Sequence, residues 1–346
     1  MAIYDIDGNR LDQAGIEIKS YFEDEMADTI SKVKALQIEP CVIIPICTDI
    51  HYMSSDNSGA TPTFEVMIDN MKYLSTKLRI DAVACLGDIT DGDVAQATTT
   101  TRMAYMFDRF REIKVPLMFA AGNHDANGYY QTPWFTLDQI AQTQYSNNRN
   151  DATFSSGSQN WYWDMDAHKI RFISLCSACA ENTTSRYRFP TGTDTWLTSA
   201  LSSVPSGYMV VLFVHLSPIS SQNWNNTVQQ NASAINTAIT NWLNADNTHT
   251  LIQFMGHSHA DYAFTSPYLN IAINCQKTEP SITEDYVVTQ EMKDQGIDKG
   301  VVGAKHWHNV AGTYKEDCWD VCVIRPNSRK VNMIRFGVGE DREFTY

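Results

Sequence analysis

The sequence of 346 residues is poor in basic side chains: 26 Lys and Arg residues stand against 40 Asp and Glu residues, which gives a net charge of −14. Binding of DNA or RNA without regard to base sequence depends mainly on Lys and Arg side chains that neutralise phosphates. No run of Lys and Arg stands out along the chain. The composition therefore argues against nucleic acid as a partner.

Long apolar segments are missing as well. No stretch approaches the roughly 18 consecutive apolar residues that a membrane-spanning helix needs, so no membrane association is expected. Residues 1–20 lack the basic start and the apolar core of a secretory signal. We therefore expect a cytoplasmic protein without a signal peptide or a transmembrane segment.

The eight cysteines lie mostly within apolar runs, which is typical of buried free thiols. Cys176 and Cys179 form a C-x-x-C pair, and Cys318 and Cys322 follow later, so a zinc site or a disulfide is the alternative. Internal repeats and low-complexity tracts are also missing. With 43% hydrophobic residues, the chain can bury a large core.

Short apolar runs bounded by polar turns predict strands that are buried on both faces. Such runs occupy residues 41–47, 82–86, 116–120, 208–214 and 250–255. Helical patterns separate the first three runs, at residues 64–78 and near 105–113. This alternation predicts β-α-β units in a layered α/β fold.

The predicted organisation is a single domain over residues 41–346, preceded by a polar, partly helical extension over residues 1–40 that packs on the domain. Two polar stretches predict insertions near 126–160 and 277–316. Further elements are predicted as an antiparallel pair within 161–176, helices at 194–203 and 228–244, and closing strands at 318–325 and 330–337.

Each of the five apolar runs is followed by a polar block whose side chains can bind metal ions. The blocks are D-x-H at Asp49 and His51, G-D-x-x-D at 87–91, G-N-H-D at 122–125, His215, and G-H-x-H at 256–259. In a strand, residues two apart point the same way, so Asp49 and His51 can face one cavity, as can His257 and His259.

This set of ligand types suits a pair of metal ions. Two cations about 3.5 to 4 Å apart can clamp a phosphate and generate a hydroxide, and they need one carboxylate that bridges them. Asp88 lies at a Gly-Asp turn and is the natural bridge. The imidazole nitrogens favour Zn, Fe or Mn over Mg or Ca.

The order, the spacing and the strand-end context of the blocks resemble the calcineurin-like metallophosphoesterase superfamily over residues 49–259. Any one block recurs by chance in many chains, whereas all five in order are specific. The resemblance implies an α/β fold of four layers, in which a central β-sandwich is flanked by helices. It also implies hydrolysis of a phosphodiester or phosphomonoester by in-line attack of a metal-bridging hydroxide.

The resemblance further implies two divalent or trivalent transition metal ions (Mn, Fe or Zn) and assigns their ligands. One ion would be held by Asp49, His51, Asp88 and His259, and the other by Asp88, Asn123, His215 and His257. His124 would face the substrate and protonate the leaving oxygen, with Asp91 as the group that orients its imidazole.

Individual residues depart from particular branches of the superfamily. Gly92 and Asp125 stand where serine/threonine protein phosphatases carry Arg and Glu, which argues against protein phosphatase activity. Asp91 stands where purple acid phosphatases carry a metal-binding Tyr. The expected substrate is therefore a small phosphoester.

Two other functions stay open: a non-catalytic binding or assembly protein that retains the fold, and a nuclease of the same superfamily. Several residues outside the blocks are ambiguous too. Three aromatic residues could either cover the core beneath the insertion or stack on a base or sugar of a substrate: Tyr129, Tyr130 and Trp134. Arg342 suits an ion pair better than a phosphate clamp. The H-W-H histidines, His306 and His308, are interpreted as exposed surface residues, with substrate contact as the alternative.

Overall fold

Two large β-sheets stack face to face, and helices cover both outer faces, in the computed structural model of the chain. This arrangement is the four-layer α/β fold that the sequence predicts. The structure describes residues 20–52, 60–127, 134–136, 139, 152–155, 160–177, 187–227, 229–276 and 279–346.

The first sheet has the strand order β15-β14-β13-β1-β2-β3. Its strands are β1 (Val42–Cys47), β2 (Val83–Cys85), β3 (Leu117–Phe119), β13 (Cys318–Arg325), β14 (Lys330–Gly337) and β15 (Arg342–Thr345). β1, β2 and β3 run parallel, with Cys47 level with Cys85 and Cys85 level with Phe119. The segments that follow these three strands therefore leave the sheet at the same edge.

The second sheet has the order β4-β5-β6-β7-β8-β10-β9. Its strands are β4 (Thr153–Phe154), β5 (Trp161–Met165), β6 (Ile170–Ser174), β7 (Met209–Phe213), β8 (Leu251–Met255), β9 (Tyr262–Phe264) and β10 (Leu269–Ala272). β6, β7, β8 and β10 are parallel neighbours, and β5 pairs with β6 antiparallel as predicted.

Helices cover the two sheets, and their bounds are α1 (Glu23–Leu36), α2 (Ala60–Lys77), α3 (Gln96–Arg111), α4 (Thr193–Ser202), α5 (Ala232–Ala245) and the short α6 (Gln290–Asp294). α3 begins at Gln96, well before the predicted start near Tyr105. The run of threonines at its start hides the helix in the sequence, although Thr99 and Met103 both face the core. In α5, Ile235, Ile239 and Trp242 form the buried stripe expected of an amphipathic helix.

Apolar side chains fill three layers between these elements. One lies between α1, α2, α3 and the first sheet, one between the sheets, and one between the second sheet, α4 and α5. Between the sheets, Trp163, Phe172, Phe213 and Phe254 form a row of rings on adjacent strands, with centroids 5.5 to 5.9 Å apart. Each such side chain contributes about 1.5–3 kcal/mol by burial, so the row stabilises the alignment of the strands.

The predicted amino-terminal extension is described from residue 20 onward, and residues 1–19 lie outside the described residues. Its helix α1 buries Met26 and Val33 in the outer apolar layer of the first sheet. Across the described part of the chain, no helix combines the length and the apolar character needed to cross a bilayer.

The second predicted insertion, 277–316, contains α6 and a small antiparallel pair, β11 (Tyr286–Val287) with β12 (Lys305–His306). His306 is buried at 7% exposure, so the interpretation of this residue as a surface histidine is wrong. Most of the first predicted insertion, 126–160, lies outside the described residues, as do Tyr129, Tyr130 and Cys179.

Cysteines of the described part of the chain are free thiols, and all of them except Cys41 are buried. Burial raises the pKa of the Cys318 and Cys322 thiols, which keeps both side chains neutral. The prediction of buried free thiols is therefore confirmed for the described cysteines other than Cys41, which is free but only partly buried.

A buried network of charges ties the two sheets together. Asp261, just before β9, accepts hydrogen bonds from Arg335 at 2.9 Å and from the Trp307 indole at 2.7 Å. Arg335 also donates to Asp320 at 3.0 Å, and Arg342 pairs with both Asp261 and Asp320. Arg342 thus has the ion-pair role, in contact with Asp320 of β13 and with Asp261 just before β9.

We expect Asp261→Ala to lower the free energy of unfolding by about 3–5 kcal/mol, because Arg335 would keep a buried charge without one of its partners. Urea unfolding followed by circular dichroism measures this change. Lys32→Ala is the matched control, since Lys32 pairs with Asp28 on the surface, and its loss should stay within about 1 kcal/mol. Equal losses for the two variants would contradict the role of the network.

Candidate metal centre

The polar blocks meet at one edge of the sandwich, beyond the carboxyl ends of β1, β2, β3, β7 and β8. Main-chain hydrogen bonds hold the blocks side by side: Asp49 donates to Gly87 at 2.9 Å, and Gly256 donates to His215 at 3.1 Å. Parallel strands that end together place the following residues at one point, as is usual for sites in open α/β sheets. Side chains far apart in the sequence thereby converge.

The first group of possible ligands consists of Asp49, His51 and His259. The Nε2 atom of His259 lies 3.1 Å from Asp49 Oδ1 and 3.3 Å from the Nε2 atom of His51. One ligand atom from each of the three residues lies within 4.8 Å of the others. The three atoms can therefore contact a single cation.

The second group consists of Asp88, His215 and His257, whose ligand atoms also lie within 4.8 Å of one another. The Nδ1 atom of His215 is 2.8 Å from the carbonyl oxygen of Leu86 and donates to it. This bond leaves Nε2, which lies 3.0 Å from Asp88 Oδ2, as the nitrogen that could bind a metal ion after losing its proton. A metal ligand is commonly held in its tautomer by such a bond.

Asn123 lies beside this group with its side chain buried at 1% exposure. Within the described residues, neither atom of its amide has a hydrogen-bond partner, and the same is true of the Nε2 atom of His257. A buried polar atom without a partner costs about 1–3 kcal/mol. Bound metal ions would use these unpaired atoms, so the residues present fit a dimetal centre.

Asp88 lies between the two groups. It shares the second with His215 and His257, and its ligand atoms are also within 4.8 Å of those of His51 and His124. Its Oδ1 atom accepts from the His124 main chain at 2.7 Å, while Oδ2 faces His215. This position suits a carboxylate that contacts two cations.

His124 and Asp91 lie next to the ligand groups, and their contacts differ from the expected pairing. The His124 Nδ1 atom is 2.7 Å from the main-chain oxygen of Asp91. The Asp91 carboxylate lies 3.9 Å from that nitrogen and only 2.7 Å from Nδ1 of His51. Asp91 thus contacts both imidazoles, His124 through its main chain and His51 through its side chain.

The backbone around the ligands is strained. Positive φ angles between 48° and 68° occur at the expected ligand residues Asp49, His51, Asp88, His257 and His259. Such a conformation costs a residue other than glycine about 1–3 kcal/mol and persists mostly at functional sites. The strain supports a binding role for this edge of the sandwich.

Two glycines of the blocks allow the backbone to approach the acids closely. A Cβ atom on Gly122 would lie 2.2 Å from Asp88 Oδ1, and one on Gly256 would lie 2.6 Å from Asp49 Oδ2. Both contacts are far inside van der Waals distance. The glycines are therefore required by the packing of Asp88 and Asp49.

From the sequence, Asp125 indicates only which branch of the superfamily the chain resembles. In the structure it joins the 122–125 block to the 87–91 block. Its carboxylate accepts main-chain hydrogen bonds from Gly122 and Asp88 at 2.8 Å and from Ile89 at 3.0 Å. Burial and the charge of Asp88 raise the pKa of Asp125 to about 7. A carboxyl group this close to backbone N–H groups sets the position of Asp88.

Glu279 is a residue that sequence reasoning missed. Its Oε1 atom makes a short hydrogen bond with Nδ1 of His259, so His259 is held between a carboxylate on one side and the metal-ligand group on the other. Carboxylates in this position orient the imidazole and increase its basicity toward a metal. No spacing rule links Glu279 to His259, since it lies in the irregular second insertion.

The two histidines of the second group differ in charge when no metal is bound. Although burial opposes it, the charges of Asp88 and Asp49 raise the pKa of His215 to about 9. Burial and the neighbouring His215 lower the pKa of His257 to about 3. Near neutral pH, His257 is therefore neutral and His215 carries a proton that a metal ion must displace.

Residues 44–261, which include all five blocks, match the sequence profile of the calcineurin-like phosphoesterases. The chain belongs to this family. Membership supports metal-dependent hydrolysis of phosphoesters in general and does not define the substrate. Among curated proteins, none matches the chain significantly.

Solved structures similar to this calcineurin-like phosphoesterase show the fold. A dimetal phosphatase from Danio rerio is 14% identical, with a TM-score of 0.59, over 89% of this chain and 100% of that one. GAP50, described as the anchor in the inner membrane complex of Plasmodium, is 11% identical, with a TM-score of 0.51, over 89% of each chain. The fold thus occurs in proteins with different described roles, so the site must decide between them.

In this calcineurin-like phosphoesterase, we expect Glu279→Gln to weaken metal binding about tenfold, and Glu279→Ala up to about 100-fold, because His259 loses its carboxylate partner. Competition with a chromophoric chelator measures the dissociation constants for Mn²⁺ and Zn²⁺. Glu284→Gln, an exposed glutamate of the same insertion, is the matched control and should change nothing. Unaltered metal affinity in both Glu279 variants would contradict the role of Glu279 in supporting His259.

We also expect metal binding near neutral pH to release protons, because His215 must lose one before Nε2 can bind a cation. Titration calorimetry in two buffers of different ionisation enthalpy measures the number released. The release should decline as the pH rises through about 9, where His215 is already neutral. Identical binding enthalpies in the two buffers would contradict the assignment of His215 as a ligand.

Proposed function

We propose that the protein is a binuclear metal-dependent phosphoesterase that hydrolyses a small phosphodiester or phosphomonoester. The observation that chiefly supports this proposal is the pair of ligand groups that share Asp88, with the buried amide of Asn123 unpartnered beside them. Membership of the calcineurin-like phosphoesterases supports the same chemistry.

Two transition metal ions, Mn, Fe or Zn, suit the mixed carboxylate, amide and imidazole set. Asp49, His51, Asp88 and His259 would hold one of them, and Asp88, Asn123, His215 and His257 the other. When bound, such a pair would polarise the phosphoryl oxygens of a substrate and lower the pKa of a bound water molecule.

His124 is the proposed general acid. Its side chain is 13% exposed, which places it at the border between the buried ligands and solvent. The main-chain oxygen of Asp91 holds Nδ1, so the ring has a defined orientation, and Nε2 is the nitrogen proposed to act on a substrate. Nε2 lies 3.9 Å from Asp88 Oδ2, close enough to the proposed ions to deliver a proton to the leaving oxygen.

Asp91 is the proposed positioning residue for this imidazole and for His51. Its carboxylate bonds Nδ1 of His51, so the other nitrogen of that ring faces His259 and the first ligand group. One residue thereby sets the orientation of a proposed ligand and of the proposed acid.

A nuclease and a non-catalytic assembly protein are the other functions to weigh. The net charge of −14 opposes a long channel for nucleic acid. An assembly role needs the fold alone, whereas strained ligand residues and unpaired buried ligand atoms serve no purpose in it. The site therefore favours catalysis.

We expect His124→Ala to lower kcat by about 10²–10⁴-fold at unchanged metal content, because the leaving oxygen loses its proton donor. Mn²⁺-loaded protein is assayed with p-nitrophenyl phosphate, bis-p-nitrophenyl phosphate and alkyl phosphoesters, and metal is determined by elemental analysis. The fall should be larger for alkyl than for nitrophenyl leaving groups, since nitrophenolate needs little protonation. His308→Ala, a histidine outside the ligand groups, is the control.

A metal-loaded wild-type protein that turns over none of these phosphoesters would contradict the proposed function. Wild-type turnover with equal activity in the His124→Ala variant would leave hydrolysis in place and exclude His124 as the acid.

A further inference from the structure

A pocket of about 430 Å³ lies beside the metal centre, with the loop of His257 and His259 in its lining. Trp224 lines it together with residues of the second insertion, among them Tyr286, Asp298 and His306. The volume lies in the range of pockets that hold small organic ligands. A phosphoester bound at the metal centre would have this space next to its phosphorus.

Trp224 is 39% exposed although it lies on a turn that is held firmly. Its main-chain N–H donates to the Ser258 hydroxyl at 3.2 Å, and its carbonyl oxygen accepts from the Thr227 hydroxyl at 2.6 Å. The next residue, Asn225, donates to the main-chain oxygen of Lys299 at 2.7 Å. The indole is therefore exposed although its backbone is held in place. The hydrogen bonds that hold it go to Ser258 and Lys299, which both line the pocket.

The turn is also strained. Asn225 and Asn226 follow each other with φ angles of 55° and 49°, in the left-handed region that costs most residues about 1–3 kcal/mol. The side chain of Asn223, buried beneath them, donates to the main-chain oxygens of Ser217 at 2.9 Å and Thr227 at 3.1 Å. Such bracing compensates the strain without burying the indole, which points to a binding role for the exposed ring.

His306 forms the inner part of the same pocket. It is buried at 7% exposure and stacks on Tyr286, with centroids 4.8 Å apart and planes 15° apart. Neither of its ring nitrogens has a hydrogen bond of normal geometry to any residue that the structure describes, and its Nε2 atom lies 3.7 Å from Asp298 Oδ2. A polar group on a ligand in the pocket would give this buried ring a hydrogen-bond partner.

The acids of the pocket are already engaged within the protein. Glu279 bonds His259, and Asp298 accepts from the Tyr286 hydroxyl at 2.7 Å and from the main chain of Gly300. Their charges make the pocket a poor place for a second phosphate. Besides these acids, the lining includes Trp224, Lys299 and His306.

We propose that this pocket binds the organic group of the phosphoester, and that the group it takes is aromatic and stacks on Trp224. The inference rests on the proposed function, because the metal centre positions the phosphate. Stacking of a planar ring on an exposed aromatic side chain is worth about 1–3 kcal/mol. An aliphatic group of small size would leave the indole unused.

The test compares binding of phenylphosphonate and methylphosphonate, which are not hydrolysed, to the Mn²⁺-loaded protein by titration calorimetry. We expect phenylphosphonate to bind about tenfold more tightly, and Trp224→Ala to abolish that preference with little change for methylphosphonate. Trp224→Phe should retain most of it. Tyr21→Ala removes an aromatic residue of matching exposure, 38%, that is not in the pocket lining, and should leave the preference intact.

Turnover gives a second readout. For Trp224→Ala, kcat/KM should be about tenfold below the wild-type value with phenyl phosphate and within about twofold of it with methyl phosphate. Equal binding of the two phosphonates by the wild-type protein, or a preference that survives Trp224→Ala, would overturn the pocket proposal and leave the metal centre in place. Failure of both phosphonates to bind, with no turnover of any phosphoester, would overturn both proposals.

Discussion

Two buried carboxylates at the junction of the sheets are the constraint on which the site depends. Asp49 and Asp88 are almost fully shielded from water, and burial of that kind raises the pKa of an acid. The surrounding imidazoles, His215 foremost, overcome this effect and lower both pKa values. The acids thus stay charged because imidazoles, His215 foremost, lie beside them at this edge of the sandwich.

The same constraint explains the local backbone. To bring the acids and imidazoles together, residues after the strands adopt strained angles, and Gly122 and Gly256 leave room where any side chain would collide. Rigid strands on both sides absorb that strain, with the row of aromatic rings between the sheets and the network around Asp261 behind them. A site of this kind cannot be assembled on loops alone.

The second insertion is part of this site. Glu279 reaches back to His259, and the same segment supplies Tyr286 and His306 to the pocket beside it. The core of the fold therefore supplies most of the residues near the proposed ions, while the insertion supplies residues of the neighbouring pocket. This division agrees with the general rule that function varies through segments placed on a conserved scaffold geometry.

The sequence by itself determined the layered α/β fold and the candidate ligands, because buried strands have apolar runs and ligand residues followed them at short, regular spacing. It did not reveal the full length of α3, whose first turns are threonine-rich, or the burial of His306. Only the tertiary structure decided that Asp91 contacts His51 through its carboxylate, that Glu279 supports His259, and that Trp224 faces the pocket. Such contacts join residues from different segments, and no local pattern of the chain records which distant backbone will lie beside them.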